Sequence, residues 1–528
     1  LFFALAVAAP AFAGLQTPEL PRIKVDTVYV PPRGKILTVR REQSFQAALN
    51  SAAPGDVIML EAGAVFTGPF SLPEKPGAEW IIIRSSIADD RLPPPGRRID
   101  PSYADRMPKL TARANTPVLT TAPGAHHYRF IGIEIRPEGS SASPYSNQTL
   151  VQLGSNENKA ERLPHHLIFD RCYLHGGAGG ARRGIALNSR DTAVIDSYLS
   201  DFKTVGEDSQ ALAGWNGPGP FRIANNYLEG AGENVMFGGG TPSIAGLVPS
   251  DIELHGNHFA KPLSWKIGAP DYAGTPWTVK NLFELKNARR VHVAGNLLEH
   301  SWPHGQDGYA ILFTVRTEDD AVPWAVVEDI VFENNVVRRS AAGVNIMGID
   351  NSRHGNGRSR RIAIKNNLFD EIGWSGNGRL FQMLDGTEHV SITHNTAFHS
   401  DTIIFGERTP HRGFVFTDNI LPHNAYGIAG GGVGTGQPTL ERYFPGAVVQ
   451  RNVIVGGPAG AYPRGNFFPR SFADVGFVNP AIGDYRLKSG SPYAGKDPAG
   501  KDIGVDFTVL RPVLELNRTP SQQNAPKE

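Results

Sequence analysis

Apolar and polar residues alternate with a period of two over many short runs, and two of these runs set the rest in order. Asn281-Leu-Phe-Glu-Leu-Lys-Asn287 puts Phe283 and Leu285 on one side of a strand and Glu284 and Lys286 on the other. Tyr309-Ala-Ile-Leu-Phe-Thr-Val-Arg316 puts Ile311, Phe313 and Val315 inward and Thr314 and Arg316 outward. If the two strands are neighbours in one sheet, Glu284, Lys286 and Arg316 share a solvent-facing patch.

A longer repeat makes them neighbours. From near residue 127 a unit recurs: β-type alternation, a polar residue, then two apolar residues. Ile168-Phe-Asp-Arg-Cys-Tyr-Leu174, Ile223-Ala-Asn-Asn-Tyr-Leu228, Val293-Ala-Gly-Asn-Leu-Leu298 and Ile364-Lys-Asn-Asn-Leu-Phe369 are four copies. Aligning Cys172, Ser197, Asn226, Asn257, Asn296, Asn335, Asn367, Asn395, Asn419 and Asn452 gives a mean spacing of about 31 residues. That spacing, with no helical half, suits one coil of a parallel β-helix with several short strands per turn. The asparagines are expected to stack coil on coil, each amide bonding its neighbour's and the turn's backbone, which makes them structural.

A second strand family lies between the asparagines, at 184–187, 234–237, 282–286, 310–316, 343–347, 380–383 and 402–405. One copy per coil builds a continuous sheet with rungs about 4.8 Å apart, placing Lys286 and Arg316 on adjacent rungs of one face. Ahead of the repeats, residues 44–53 carry Phe45, Ala48, Leu49 and Ala52 on one helical face, as a solenoid's N-terminal cap requires. The predicted fold is all-β: a single-stranded right-handed parallel β-helix with an N-terminal capping helix. Its expected divisions are a signal-peptide remnant (1–13), an extended Pro-rich lead-in (14–42), the β-helix (43–510) and a disordered tail (511–528). The section from 472 to 506 is expected to close the last coil.

Composition narrows the partners. The 528 residues would suggest three or four domains, but the repeats override that prior. With 52 Lys+Arg against 51 Asp+Glu, neither nucleic acid nor an anionic membrane is an expected partner. The apolar run ending in Ala11-Phe-Ala13 has the small-x-small pattern of a signal-peptidase site. It lacks a basic lead, so the sequence is expected to begin inside the signal peptide. No other run is long enough to span a bilayer, and a monomer, secreted or periplasmic, is expected. The single cysteine, Cys172, rules out an internal disulfide and is expected in the core.

Insertions fall beside the second strand family, where a solenoid builds its groove. They bring Trp265, Trp277, Trp302 and His304, which are expected either to line a sugar-binding groove or to cover the core. Asn234, Asn345 and Gln382, on the strands themselves, complete the expected substrate contacts.

Four chemistries compete. Lys286 as base with Arg316 neutralising a carboxylate suits β-elimination on a uronic acid, Glu233, Asn234 and Glu284 lying alongside. The alternative for the same residues is a surface Glu284–Lys286 ion pair with Arg316 bonded to Glu318. A carboxylate pair drawn from Glu207, Asp208, Glu233 and Asp307 would suit inverting glycoside hydrolysis. Glu318-Asp319-Asp320 or Glu207-Asp208 could offer oxygens to calcium, although solvated loop charge explains them as well. The sixteen histidines, including His126-His127 and His165-His166, show no compact ligand spacing, so zinc is not expected. The last reading is a glycan-binding or surface solenoid with no catalysis.

Gly232-Glu-Asn-Val-Met-Phe-Gly238, Phe283-Glu-Leu-Lys286 and Ile311-Leu-Phe-Thr-Val-Arg316 together resemble the pattern of polysaccharide lyase family 6, which includes chondroitinase B and alginate lyases. The resemblance covers roughly residues 225–340. It implies Lys286 as base, Arg316 as acid or charge stabiliser, and a calcium site using Glu284, with Glu233 beside it. Three positions depart from the pattern: Met236 stands where the family has arginine, Lys286 sits in Leu-Lys-Asn rather than Asn-Lys-Ser, and Thr-Glu follows Arg316 rather than His-Gly. More broadly the chain resembles secreted β-helix proteins of the pectate-lyase-like superfamily. The expected function is cleavage of an extracellular polysaccharide by β-elimination, with inverting hydrolysis or plain glycan binding as alternatives.

Overall fold

The computed structural model describes residues 15–139, 143–317, 321–350 and 357–516. The expected signal-peptide remnant and most of the expected tail lie outside them. Short strands wind into a right-handed parallel β-helix whose coils stack into three all-parallel sheets of 14, 12 and 13 strands among the described residues. One coil shows the path. Ser250–His255 lies in the 14-strand sheet, His258–Ala260 in the 13-strand sheet and Phe283–Leu285 in the 12-strand sheet, before Ala288–Ala294 returns to the first.

Rungs of the 14-strand sheet keep register: Ile223, Leu254, Val293 and Phe332 stand one above another and fill the interior. The corner between the 14- and 13-strand sheets explains the asparagine repeat. A left-handed residue turns the chain there (Asn225 φ 54°, Gly256 φ 65°, Asn334 φ 57°), a conformation that Gly, Asn and Asp enter most readily. The next residue points its amide inward. Asn257 Oδ1 accepts the Asn226 backbone N–H at 2.9 Å and its amide at 3.0 Å, while Asn257 Nδ2 donates to Ile223 O at 2.8 Å. The same bonds run through Asn296, Asn335, Asn367, Asn395, Asn419 and Asn452, and Ser197 and Cys172 continue the column toward the N-terminus. Cys172 is buried, and desolvation pushes its thiol up to about 12.

The N-terminal end is closed as expected. The helix Phe45–Ser51, whose first turn donates Ala47 N–H to Ser44 Oγ, drives Phe45 and Leu49 into the core. The extended lead-in crosses the outside of the 14-strand sheet, donating Glu19 N–H to Asp329 and Arg22 N–H to Asp251. No helix among the described residues is long and apolar enough to cross a membrane.

The C-terminal expectation needs correction. The last coil is covered by the helix Gln437–Tyr443 and its neighbours, with Leu440, Tyr443, Phe444 and Tyr462 in the main core. The following segment instead folds back along the outer face of the 13-strand sheet. There Leu297, Val336 and Leu368 present apolar side chains that need cover, and Phe507, Leu510 and Val513 supply it. The boundary drawn at 511 therefore falls inside a packed helix, Phe507–Leu514.

Candidate functional site

The outward residues of the 12-strand sheet form columns, because each rung is held in register. One column runs Met236, Glu284, Leu312, Asn345, Gln382. Lys286 follows Glu284 on its rung, and Arg316 N–H donates to Lys286 O at 3.1 Å, which ties the two cationic residues to adjacent rungs. A cleft of 310 Å³ opens over this face, lined by Glu284, Lys286, Asp307, Tyr309, Thr314, Arg316 and Asn345, among others. Gly239 borders Lys286: at φ 86°, a Cβ there would stand 3.2 Å from Lys286 Cδ, so glycine leaves room for the lysine stem.

The charges interlock. Lys286 Nζ lies 3.6 Å from Glu284 Oε1, and Glu284 Oε2 accepts the Asn281 amide at 2.7 Å. Burial works to lower the Lys286 pKa, but Glu284, Glu233 and Asp208 outweigh burial and the Arg316 charge, and the ammonium is held above its ordinary value. The nearby Arg316 charge therefore does not bring Lys286 below its ordinary value. Glu233 is wholly buried; desolvation, then Glu284 and Asp208, pushes its carboxyl up to about 7. Its Oε2 accepts the Gln210 amide at 2.8 Å and its Oε1 has no partner. Asp208 is paired with Lys280, and Glu207 with Arg182 at 3.6 Å.

Of the residues expected to contact substrate, Asn345 fits best: it is half-buried and lines the cleft, while its Oδ1, which has no hydrogen-bond partner, is itself covered. Gln382 lies one rung on, its Oε1 accepting from Tyr309 Oη at 2.9 Å and from Arg379. Asn234 does not face the substrate. Asn234 N–H and Val235 N–H both reach Leu282 O, a bulge that turns Asn234 inward, where its amide donates to Leu228 O and Ala260 O. Its Oδ1 accepts from the buried Lys261, whose ammonium also meets the carbonyls of Gly230, Ala231 and Gly232.

Trp265, Trp277 and Trp302 are corrected in the same way. Each is 3–4% exposed, packed with the others, Ala231 and Val279 in a cluster of their own. A ring covered on both faces offers no surface to a sugar, so these residues anchor the insertion instead. His304 is exposed on the neighbouring loop, its Nδ1 accepting Val279 N–H at 3.3 Å. The aromatic that sequence reasoning passed over is Trp215. It directly follows the strand Gln210–Gly214, whose Gly214 stands in register with Phe237 and Leu285, so Trp215 shares the rung position of Lys286 two coils on. It is half-buried under Arg183, whose guanidinium sits 5.0 Å from the ring.

The expected Arg316–Glu318 pair and the Glu318-Asp319-Asp320 calcium ligands lie outside the described residues; Arg316 has a 3.9 Å contact with Asp350. For calcium at Glu233 and Glu284, the donor set falls short. Ca²⁺ takes about six to eight oxygens, whereas these carboxylates already face Lys286, and Asp208 beside them is paired with Lys280. The residues present do not fit the ion, and no step of the reaction is derived through it.

No protein-family model matches the chain, and no curated protein matches it in sequence. Solved structures do. The catalytic unit of a GH87 alpha-1,3-glucanase from Streptomyces thermodiastaticus is 12% identical, with 85% of this chain and 72% of that chain covered at a TM-score of 0.52. A family 28 exopolygalacturonase of Yersinia enterocolitica is 11% identical over 83% and 78% of the two chains, with a TM-score of 0.37. The PL6 family alginate lyase AlyGC is 10% identical over 82% and 51%, at 0.37. At these identities the likeness is one of fold, and the fold of this chain is a right-handed parallel β-helix.

Proposed function

We propose that the protein acts outside the cytoplasm, as a monomer, on a uronate-containing polysaccharide laid across the 12-strand sheet, and cleaves it by β-elimination. The observation that carries this reading is the cleft in which Lys286, Arg316 and Asn345 meet. Elimination removes the C5 proton beside a carboxylate, and neutralising that carboxylate lowers the barrier. Arg316 is exposed, with Asp350 at 3.9 Å among the described residues, and its guanidinium can take the substrate carboxylate. Asn345 adds an amide to the same groove. Neutral Lys286 takes the C5 proton, the C4–O bond breaks as the C4–C5 double bond forms, and the proton returns to the departing oxygen.

A second reading, inverting hydrolysis, draws support from Glu233, which is held partly protonated near neutral pH as a general acid would be. Its complete burial weighs against it, because it reaches no substrate without a rearrangement.

Ultraviolet absorbance during incubation with alginate, pectate, dermatan sulfate and chondroitin sulfate, with and without calcium, separates the readings. A rise from the new conjugated double bond, lost in Lys286→Ala, is the expected result. New reducing ends without absorbance would replace elimination by hydrolysis. Binding without either product would make the solenoid a glycan receptor.

A further inference from the structure

Away from the cleft, the outer face of the 14-strand sheet carries four histidines that the fold alone brings together. His126 and His165 are in register on adjacent rungs. In an ordinary strand His127 and His166 would point into the core. Both instead adopt left-handed backbone (φ 58° and 53°), which histidine tolerates better than most residues, and the core position passes to the next residue, Tyr128 or Leu167. Each pair therefore presents two imidazoles on one side. The rings of His126 and His165 stack at 4.7 Å and those of His127 and His166 at 4.3 Å. Within each pair the two Nδ1 atoms are 2.7 Å apart.

We propose that His127, His165 and His166 form a divalent transition-metal site of the zinc class that clamps two adjacent coils together. One nitrogen from each of the three lies within 4.8 Å of the others. Zn²⁺ with ligands at about 2.0–2.1 Å needs donor separations of about 3.3 Å, which ring rotations supply. Asp191, on the following rung, brings its carboxylate to 3.8 Å from His166 Nδ1 as a fourth ligand or orienting group. Arg190 follows His165 in register and opposes a cation on that side, which places the ion toward His166 and Asp191. Trp80 walls the site, 5.2 Å from His127. Carbonyl and carboxylate oxygens, which calcium would need, are not what converges here; imidazole selects zinc, nickel or copper.

The test uses the full chain, stripped with a chelator and titrated with Zn²⁺ against a chromophoric competitor, with Co²⁺ substitution as a spectroscopic check. The expected result is one equivalent bound per chain, a tetrahedral Co²⁺ spectrum and a higher thermal midpoint with Zn²⁺. All three should vanish in His127→Ala/His166→Ala, and the single substitution His165→Gln, which keeps a polar side chain, should weaken binding at least tenfold. Glu284→Gln should bind as the parent does. Weak uptake of several equivalents that the histidine variants do not alter would mean an adventitious ion only and would overturn the proposal, as would no binding. If the double variant does not fold, the single variant decides the matter.

Discussion

Lys286 Nζ stands 3.6 Å from Glu284 Oε1 and feels the buried carboxyl of Glu233, and these charges hold the proposed base above its ordinary pKa. A lysine at its ordinary value is already protonated at neutral pH, and the carboxylates raise Lys286 further against the effect of burial. Elimination by the neutral amine should therefore speed up as pH climbs through the alkaline range toward the raised lysine value. Glu284→Gln removes the nearest anion, lowers the Lys286 pKa and should move the alkaline limb of kcat/KM to lower pH. A profile that does not move would remove Lys286 from the role of base. The stability sign agrees: a raised lysine pKa adds stability below the unfolded value near 10.5 and loses it as pH rises through the folded value.

Glu233 carries the opposite consequence. A carboxyl raised to about 7 in the folded protein is favoured protonated there, so folding gains at low pH and loses stability as pH rises from the ordinary 4.5 through 7. Glu233→Gln keeps an acceptor for Gln210 without the charge. The variant should match the parent at pH 5 and exceed it at pH 8, by about 1–3 kcal/mol, because each tenfold change in a protonation equilibrium is worth about 1.4 kcal/mol. Thermal midpoints at the two pH values read the difference; equal gaps at both would contradict the buried titration.

Asn345 and the buried tryptophans should separate cleanly. Asn345 Oδ1 has no protein partner, so Asn345→Ala should leave the thermal midpoint nearly unchanged. Losing one substrate hydrogen bond should weaken binding about tenfold, or about 1.4 kcal/mol. Trp302→Ala empties a packed cluster and should cost about 3–5 kcal/mol of stability with KM retained. Trp215→Ala should do the reverse. Parallel measurements of KM and thermal midpoint on the three variants check the assignment.

How far the sequence was legible follows from what repeats. The two-residue alternation and the asparagine column recur every coil, so the solenoid, its capping helix and the adjacency of Lys286 and Arg316 could be read from the residues alone. Asn234 could not, because a bulge shifts the alternation by one residue and nothing in the residue types announces it. The tryptophans sit in insertions, where periodicity gives no direction. His127 and His166 point outward only because of a left-handed backbone, and their meeting depends on a register that becomes visible once the coils are aligned.

The asparagine column itself yields the last prediction. Asn296 Oδ1 takes the Asn257 backbone N–H at 2.9 Å and its amide at 3.0 Å, while Asn296 Nδ2 donates to Leu254 O and Asn335 Oδ1. Asn296→Ala strands a buried N–H and a buried carbonyl, each costing about 1–3 kcal/mol when left unmade, so a loss of about 2–4 kcal/mol is expected. Asn296→Ser should cost less. The native column shows why: Ser197 Oγ accepts the Cys172 N–H at 3.0 Å, so a hydroxyl at this corner still serves one rung. If alanine and serine destabilise equally in a chemical denaturation series, the backbone N–H bond is not what the column contributes, and stacking of the amides alone would have to explain the repeat.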